Sequence, residues 1–182
     1  VKDVIAHKAT ERVPYCIDFT RGAKEKFERE TGNRSVDEFL DNDIIQIYPP
    51  WWGWDNLGPE WKEMDPPKAM PGVKGSGNYD AFRNQLKMLR DHSDKYILVM
   101  IYGSHFEKAN AARKIENFLA DMAGEPVFAQ KLLDRIIERN MVMMENFLGC
   151  PEIDGVLLGS DWGSQLDLLM SPDTWESMIR PG

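Results

Sequence analysis

Leu157-Leu158-Gly159-Ser160-Asp161-Trp162-Gly163-Ser164-Gln165 points to the class of fold more directly than any other segment. An apolar run, Gly155 to Leu158, stops abruptly at the small and polar side chains Ser160, Asp161, Ser164 and Gln165. A buried parallel strand looks like this where it empties into a loop that handles a ligand. In open α/β sheets and in (β/α) barrels, ligands sit at the carboxyl ends of the strands.

The same layout recurs upstream. Val13 to Phe19 reads as a strand of Val, Tyr, Ile and Phe, with Asp18, Thr20 and Arg21 at its far end. Ile44 to Tyr48 is a second strand. Tyr96 to Tyr102 is the clearest one, apolar throughout, as expected when both faces are covered. Helical stretches alternate with these strands. Val1 to Lys8 and Gly22 to Thr31 come first. Ser35-Val36-Asp37-Glu38 is a capping box that opens a short helix through Leu40. Tyr79 to Asp91 carries Phe82, Leu86 and Leu89 on one stripe. Ser104-His105-Phe106-Glu107 is a second capping box, starting a helix to about Met122. The longest helix has Pro126 in its first turn and a stop at Gly149 and Pro151. Ser171-Pro172 opens a last helix through Ile179.

Strands alternating with helices predict an α/β protein with a parallel sheet and crossover helices. Four βα units are half of a (β/α)8 barrel, and a half barrel leaves open strand edges. The expectation is one domain over residues 1–182. Residues 49–78 break the pattern, with six prolines from Pro49 to Pro71 and the tryptophans Trp51, Trp52, Trp54 and Trp61. Proline density argues against regular helix, and four tryptophans argue against disorder. An ordered excursion over one end of the domain is expected there.

Composition narrows the function. Of 182 residues, 42% are hydrophobic and 29% charged, which suits a globular core. The net charge of −8 makes nucleic acid and anionic membrane poor general partners. Cys16 and Cys150 have no disulfide-framework or metal-type spacing, so both are expected as buried thiols in a reducing compartment. No run of about 18 apolar residues and no secretory pattern is seen, so a cytoplasmic protein is expected.

Several segments together resemble the uroporphyrinogen decarboxylase superfamily. They are His7-Lys8-Ala9-Thr10-Glu11-Arg12-Val13-Pro14, Gly103-Ser104-His105-Phe106-Glu107-Lys108-Ala109, Phe118-Leu119-Ala120-Asp121-Met122 with Glu125-Pro126, and Ser160 to Gln165 with Met170-Ser171-Pro172. That superfamily includes tetrapyrrole decarboxylases and methyltransferases that act on corrinoids and thiols. The order of segments is similar to the N-terminal half of its (β/α)8 TIM-type barrel, through four βα units.

The departures carry as much meaning. The decarboxylases of porphyrin biosynthesis use two arginines at the first strand end; here Phe19-Thr20-Arg21-Gly22-Ala23 has one. They place a catalytic aspartate after the second strand, and the matching position here is Tyr48. A phenol supplies no carboxylate beside pyrrole nitrogens, so the resemblance points to the methyltransferase-like side. Those members bind zinc through a His-x-Cys pair and a later Cys, in a part of the family beyond the stretch matched here. No zinc, other metal or cofactor is expected within this chain. A homodimer, or a second half barrel, is the expected complement, around a small-molecule, tetrapyrrole or corrinoid ligand. The other reading is a non-catalytic half barrel that binds or assembles.

Particular side chains follow. Arg21 offers either a bidentate clamp for a carboxylate or phosphate or a surface salt bridge. Asp18 orients Arg21, a substrate hydroxyl or an internal partner. His105, in the first helical turn, is disfavoured as a cation by the helix dipole and is a candidate catalytic residue. Asp161 is the strongest catalytic candidate, because a carboxylate at a strand mouth is costly without a partner. Tyr48, Tyr102, Trp162 and Gln165 complete the expected substrate-binding set.

Overall fold

The computed structural model describes residues 1–50 and 79–182. Three strands form one parallel sheet in chain order: β1 (Ile44–Ile47), β2 (Tyr96–Tyr102) and β3 (Gly155–Gly159). Ile44 pairs with Tyr96, and Leu98 with Gly155. The helices are α1 (Lys2–Ile5), α2 (Arg21–Thr31), α3 (Val36–Leu40), α4 (Tyr79–His92), α5 (His105–Arg113), α6 (Ile115–Gly124), α7 (Pro126–Glu145) and α8 (Pro172–Thr174). The last runs into a wide turn, Trp175–Ile179, whose Arg180 N–H reaches back five residues to the Trp175 carbonyl. The architecture is mixed α/β with parallel strands joined through helices.

Two apolar clusters hold it. In β2, Ile97, Val99 and Ile101 all point one way, onto Phe82 and Leu86 of α4 and Met143 of α7. Alternation in a strand puts Leu98 and Met100 on the opposite face. That face is only partly covered, and Tyr102 at its end is 54% exposed. The expectation of two covered faces therefore holds for one. The second cluster packs Phe106, Ala109 and Ala112 of α5 against Phe118 and Met122 of α6 and Leu132, Leu133 and Ile136 of α7. The long helix α7 thus spans both clusters.

The predicted strand over Val13–Phe19 is absent as a strand. The segment lies alongside β1, but side chains replace the ladder. The Asn42 amide accepts from the Ile17 N–H at 3.0 Å and donates to the Ile17 carbonyl at 2.9 Å. The Asp43 carboxylate accepts from the Tyr15 N–H, and only the Asp43 N–H to Tyr15 carbonyl bond is of backbone type. Asn42 and Asp43 sit where backbone groups would have paired.

The predicted helix from Ser104 to Met122 breaks in two at Lys114, whose φ is +64°. The break lets Asp121 of α6 fold back on Arg113 of α5, with contacts of 2.7 and 3.0 Å, both side chains buried. The Trp/Pro-rich excursion, apart from Pro49 and Pro50, lies outside the described residues, and with it Trp51, Trp52, Trp54 and Trp61.

The amino ends of the strands meet at Asp154. Its buried carboxylate accepts from the Ile97 N–H at 2.9 Å, from Arg90 at 2.5 Å and from Lys2 at 2.5 Å. Burial opposes the charge, but the bonds from Lys2, the Ile97 N–H and Arg90 outweigh it and hold the carboxyl below its usual value. A group depressed in this way stabilises the fold above the ordinary aspartate pKa, and that contribution is lost as pH falls through the folded value. Asp154→Ala is expected to cost about 2 kcal/mol in urea unfolding at neutral pH, chiefly because the buried Ile97 N–H loses its carboxylate acceptor, while Arg90 keeps the Lys95 and Glu152 carbonyls. The difference from the parent should shrink in acid; a constant difference down to low pH would contradict this account.

Candidate functional site

The carboxyl ends of the strands lie together, opposite Asp154. Each of the last two strands stops where a side chain turns into the mouth. Gly103 takes φ +70° directly after β2, a conformation an L side chain rarely adopts, and α5 starts at His105. At Gly159, a Cβ would stand 3.0 Å from the Tyr102 ring. Glycine there lets Tyr102 lie across β3, where its hydroxyl donates to the Asp161 carboxylate.

Glu107 ties the two loops. Its carboxylate accepts from the Ser160 hydroxyl at 2.9 Å and from the Asp161 N–H. Ser104 donates to the Ser160 hydroxyl at 3.0 Å. The sequence Ser104-His105-Phe106-Glu107 predicts a capping box, yet Ser104 makes no side-chain cap bond. Both capping groups turn across to β3 instead. The bond to Asp161, and the negative charge that Asp161 places beside it, push the Tyr102 phenol above its ordinary value.

Beside this cluster is a cavity of about 260 Å³ lined by Tyr48, Pro49, Met100, Ile101, Tyr102, Lys108 and Met143. Lys108 is 4% exposed and donates to the Asn140 amide oxygen of α7 at 2.8 Å. Burial pushes its ammonium down to about 7, against a smaller opposing pull from Glu107.

The structure brings Tyr48, Tyr102 and Asp161 to one end. His105 lies close by, on the first turn of α5, but its ring is buried and Nε2 is 2.9 Å from the Ile179 carbonyl. A carbonyl only accepts, so Nε2 carries the proton. Burial lowers the His105 pKa, which keeps the ring neutral. It is not among the residues lining the cavity. Arg21 is 94% exposed and bonds Glu25 at 3.1 Å, one turn along α2. Asp18 pairs with Lys24 at 2.7 Å; that bond and the Phe19 N–H hold its carboxyl low. Arg21 and Asp18 are thus engaged locally rather than on each other. Trp162 packs against Trp175, ring centroids 5.2 Å apart, over the α5–α7 cluster. Gln165 is exposed in the turn closed by the Gly163–Leu168 bridge.

Glu107 and Lys108 escaped the sequence-based choice of site residues. Glu107 read as a helix cap. Lys108 had a signal, since His105, Lys108, Ala109 and Ala112 fall on the buried stripe of α5. A lysine on an apolar stripe is a polar group in need of a reason. Among the described residues no group of three His, Cys, Asp or Glu side chains could hold a metal ion. Among them, too, no helix is long and apolar enough to cross a membrane.

Two outcomes test this geometry. Lys108→Met is expected to be more stable than the parent at pH 7, by about 1 kcal/mol or more, because it removes a buried amine that the unfolded chain keeps protonated. The parent should gain stability as pH rises from 7 toward 10, and the variant should lack that rise in chemical denaturation. Asp161→Asn should bring the Tyr102 phenol down toward its ordinary value, read by NMR titration of the ring.

Comparison of the chain with protein-family models, with curated proteins and with solved structures finds no match.

Proposed function

We propose that this chain is the first half of a (β/α)8 barrel of the uroporphyrinogen decarboxylase superfamily, on its methyltransferase-like side, handling a small molecule together with a corrinoid or a thiol. The observation that carries the reading is the shared mouth. Parallel ribbons lie side by side in chain order, and Tyr48, Tyr102 and Asp161 meet at their carboxyl ends. That is where a barrel of this kind holds its ligand. The segment Val13–Phe19, beside β1, takes the place of a first strand.

The electrostatics favour this side of the superfamily over a porphyrin decarboxylase. A polycarboxylate needs cations at the mouth, and Arg21 is exposed on α2 beside Glu25 and is not among the cavity-lining residues. Lys108 is the cation found among the described cavity-lining residues, and burial disfavours its charged form. Tyr48 stands where the decarboxylases of the resemblance carry their carboxylate. The Tyr102–Asp161 pair offers a donor and an acceptor for a polar ligand, and Glu107 fixes the loop that carries Asp161.

β3 is an edge of the described sheet, which suits a second set of βα units laid against this strand, from a second copy or from further sequence. The same feature is the ground for the binding or assembly reading.

The test is ligand preference. The protein is titrated with cobalamin and, separately, with a polycarboxylate porphyrin, following the absorption of each. Saturable cobalamin binding that weakens at least about tenfold in Asp161→Ala is expected, a loss of roughly 1.4 kcal/mol. Tighter binding of the porphyrin would favour the decarboxylase reading. Binding of neither, with self-association unchanged in Asp161→Ala, would favour assembly.

A further inference from the structure

We propose that α1 is an electrostatic strap: it walls the cleft at the amino ends of the strands, one ion pair, Lys2–Asp154, holds it there, and ionic strength releases it. The cleft lies at the end of the sheet away from Tyr102 and Asp161, so nothing here rests on the superfamily reading.

The cleft has a volume of about 600 Å³. Val1, Lys2 and Asp3 line it from α1 and its cap, and Arg12, Asp43 and Lys95 are among the residues that line it from the body. The body side is fixed. Arg12 makes two bonds to Asp43, at 2.8 and 2.6 Å, and lies over the Tyr15 ring. The Tyr96 N–H donates to the Asp43 carbonyl at 3.0 Å, which ties that pair to β2.

The α1 side is held far less. None of its four residues is buried, and Ile5 is 61% exposed. Four residues are far too few for a helix to persist in water by itself. The backbone bonds from Ile5, Ala6 and Lys8, and the Lys8–Asp3 pair at 3.0 Å, all stay within the segment. Among the described residues, the side-chain bond that reaches the body from α1 is Lys2 Nζ to the Asp154 carboxylate, at 2.5 Å.

That pair is unequal. The Asp154 side chain is 6% exposed and that of Lys2 74%. Two cations share the carboxylate, Lys2 on one oxygen and Arg90 on the other, so Arg90 already offsets much of the charge that attracts Lys2. When Lys2 leaves, it regains water and rotamer freedom. Asp154 keeps Arg90 and the Ile97 N–H, so neither the carboxylate nor the β2–β3 register is stranded. An ion pair with one partner in solvent contributes little, and salt weakens it further as the screening length falls from about 10 Å at 0.1 M to about 3 Å at 1 M. Release is therefore local: α1 uncoils and the cleft loses a wall, while the sheet stays.

Amide hydrogen exchange at neutral pH tests it. The amides of Ile5, Ala6 and Lys8 report on α1, and those of Val99 and Ile101 in β2 serve as reference. At about 50 mM NaCl the α1 amides should exchange more slowly than in a peptide of residues 1–12, and at about 1 M at least about threefold faster than at the lower salt, with β2 unchanged. Lys2→Met should exchange at the peptide rate at both salts, and Lys2→Arg should regain the protection and the salt response. Opening of the cleft is read at constant low salt by acetylation of Lys95, whose side chain is 30% exposed. It should run at least about twofold faster in Lys2→Met than in the parent. Equal α1 protection in the parent and Lys2→Met, or no response to salt, would overturn the strap. Unchanged Lys95 acetylation with α1 released would overturn its place as a wall of the cleft.

Discussion

The fold hangs on one buried carboxylate. Asp154 sits at the foot of β3 and receives a backbone N–H from β2, a guanidinium from α4 and an ammonium from α1. Arg90 and Ile97 flank the turn between α4 and β2, Lys2 comes from the other end of the sequence, and one carboxylate gathers all three. The bond to the Ile97 N–H fixes how β3 stands against β2, because a one-residue slip would move every side chain to the other face. Ile97, Val99 and Ile101 then face α4 and α7, and the polar ends of β2 and β3 arrive at the same level. The mouth at one end of the sheet is a result of the staple at the other.

What the sequence made legible follows from how local each signal is. The strands Tyr96–Tyr102 and Gly155–Gly159 stand where the apolar runs predict them, bounded by glycine and polar residues. The Ser35 hydroxyl accepts from the Glu38 N–H as its pattern says, while the Ser35 N–H goes to Asn33 in place of Glu38, so half of the box forms. The failures are tertiary. Val13–Phe19 has strand propensity, but Asn42 and Asp43 intercept its backbone groups, and nothing in the segment itself announces that. The break at Lys114 depends on the buried Arg113–Asp121 pair, whose members are eight residues apart and meet only once the helix has turned. Polar residues at the strand ends were readable as a set; which of them meet was not. Arg21 and Asp18 found partners one turn or a few residues away, whereas Tyr102 and Asp161 met across the sheet.

The second capping box shows how one pattern serves two ends. Ser104 and Glu107 have the spacing to satisfy the free N–H groups of α5. In the folded chain, β3 presents Ser160 and the Asp161 N–H at the same place. Glu107 then links two loops that would otherwise move independently, and Asp161 is held where Tyr102 can reach it. Lys108, the next residue, is carried on the same turn into the apolar interior. Adjacent residues on a helix point about 100° apart, so one turn presents an anchor outward to the loop and an amine inward to the cavity.

Trp162 and Trp175 lie 5.2 Å apart between the loop after β3 and the wide turn at residues 175–179. Both indole N–H groups are buried with no acceptor among the described residues. Two indoles that close couple their excited states, and an indole N–H without an acceptor emits in a non-polar setting. The molecule therefore carries its own optical gauge: a rearrangement of the Asp161 loop that moves Trp162 from Trp175 changes the emission of that pair, over the background of the four other tryptophans.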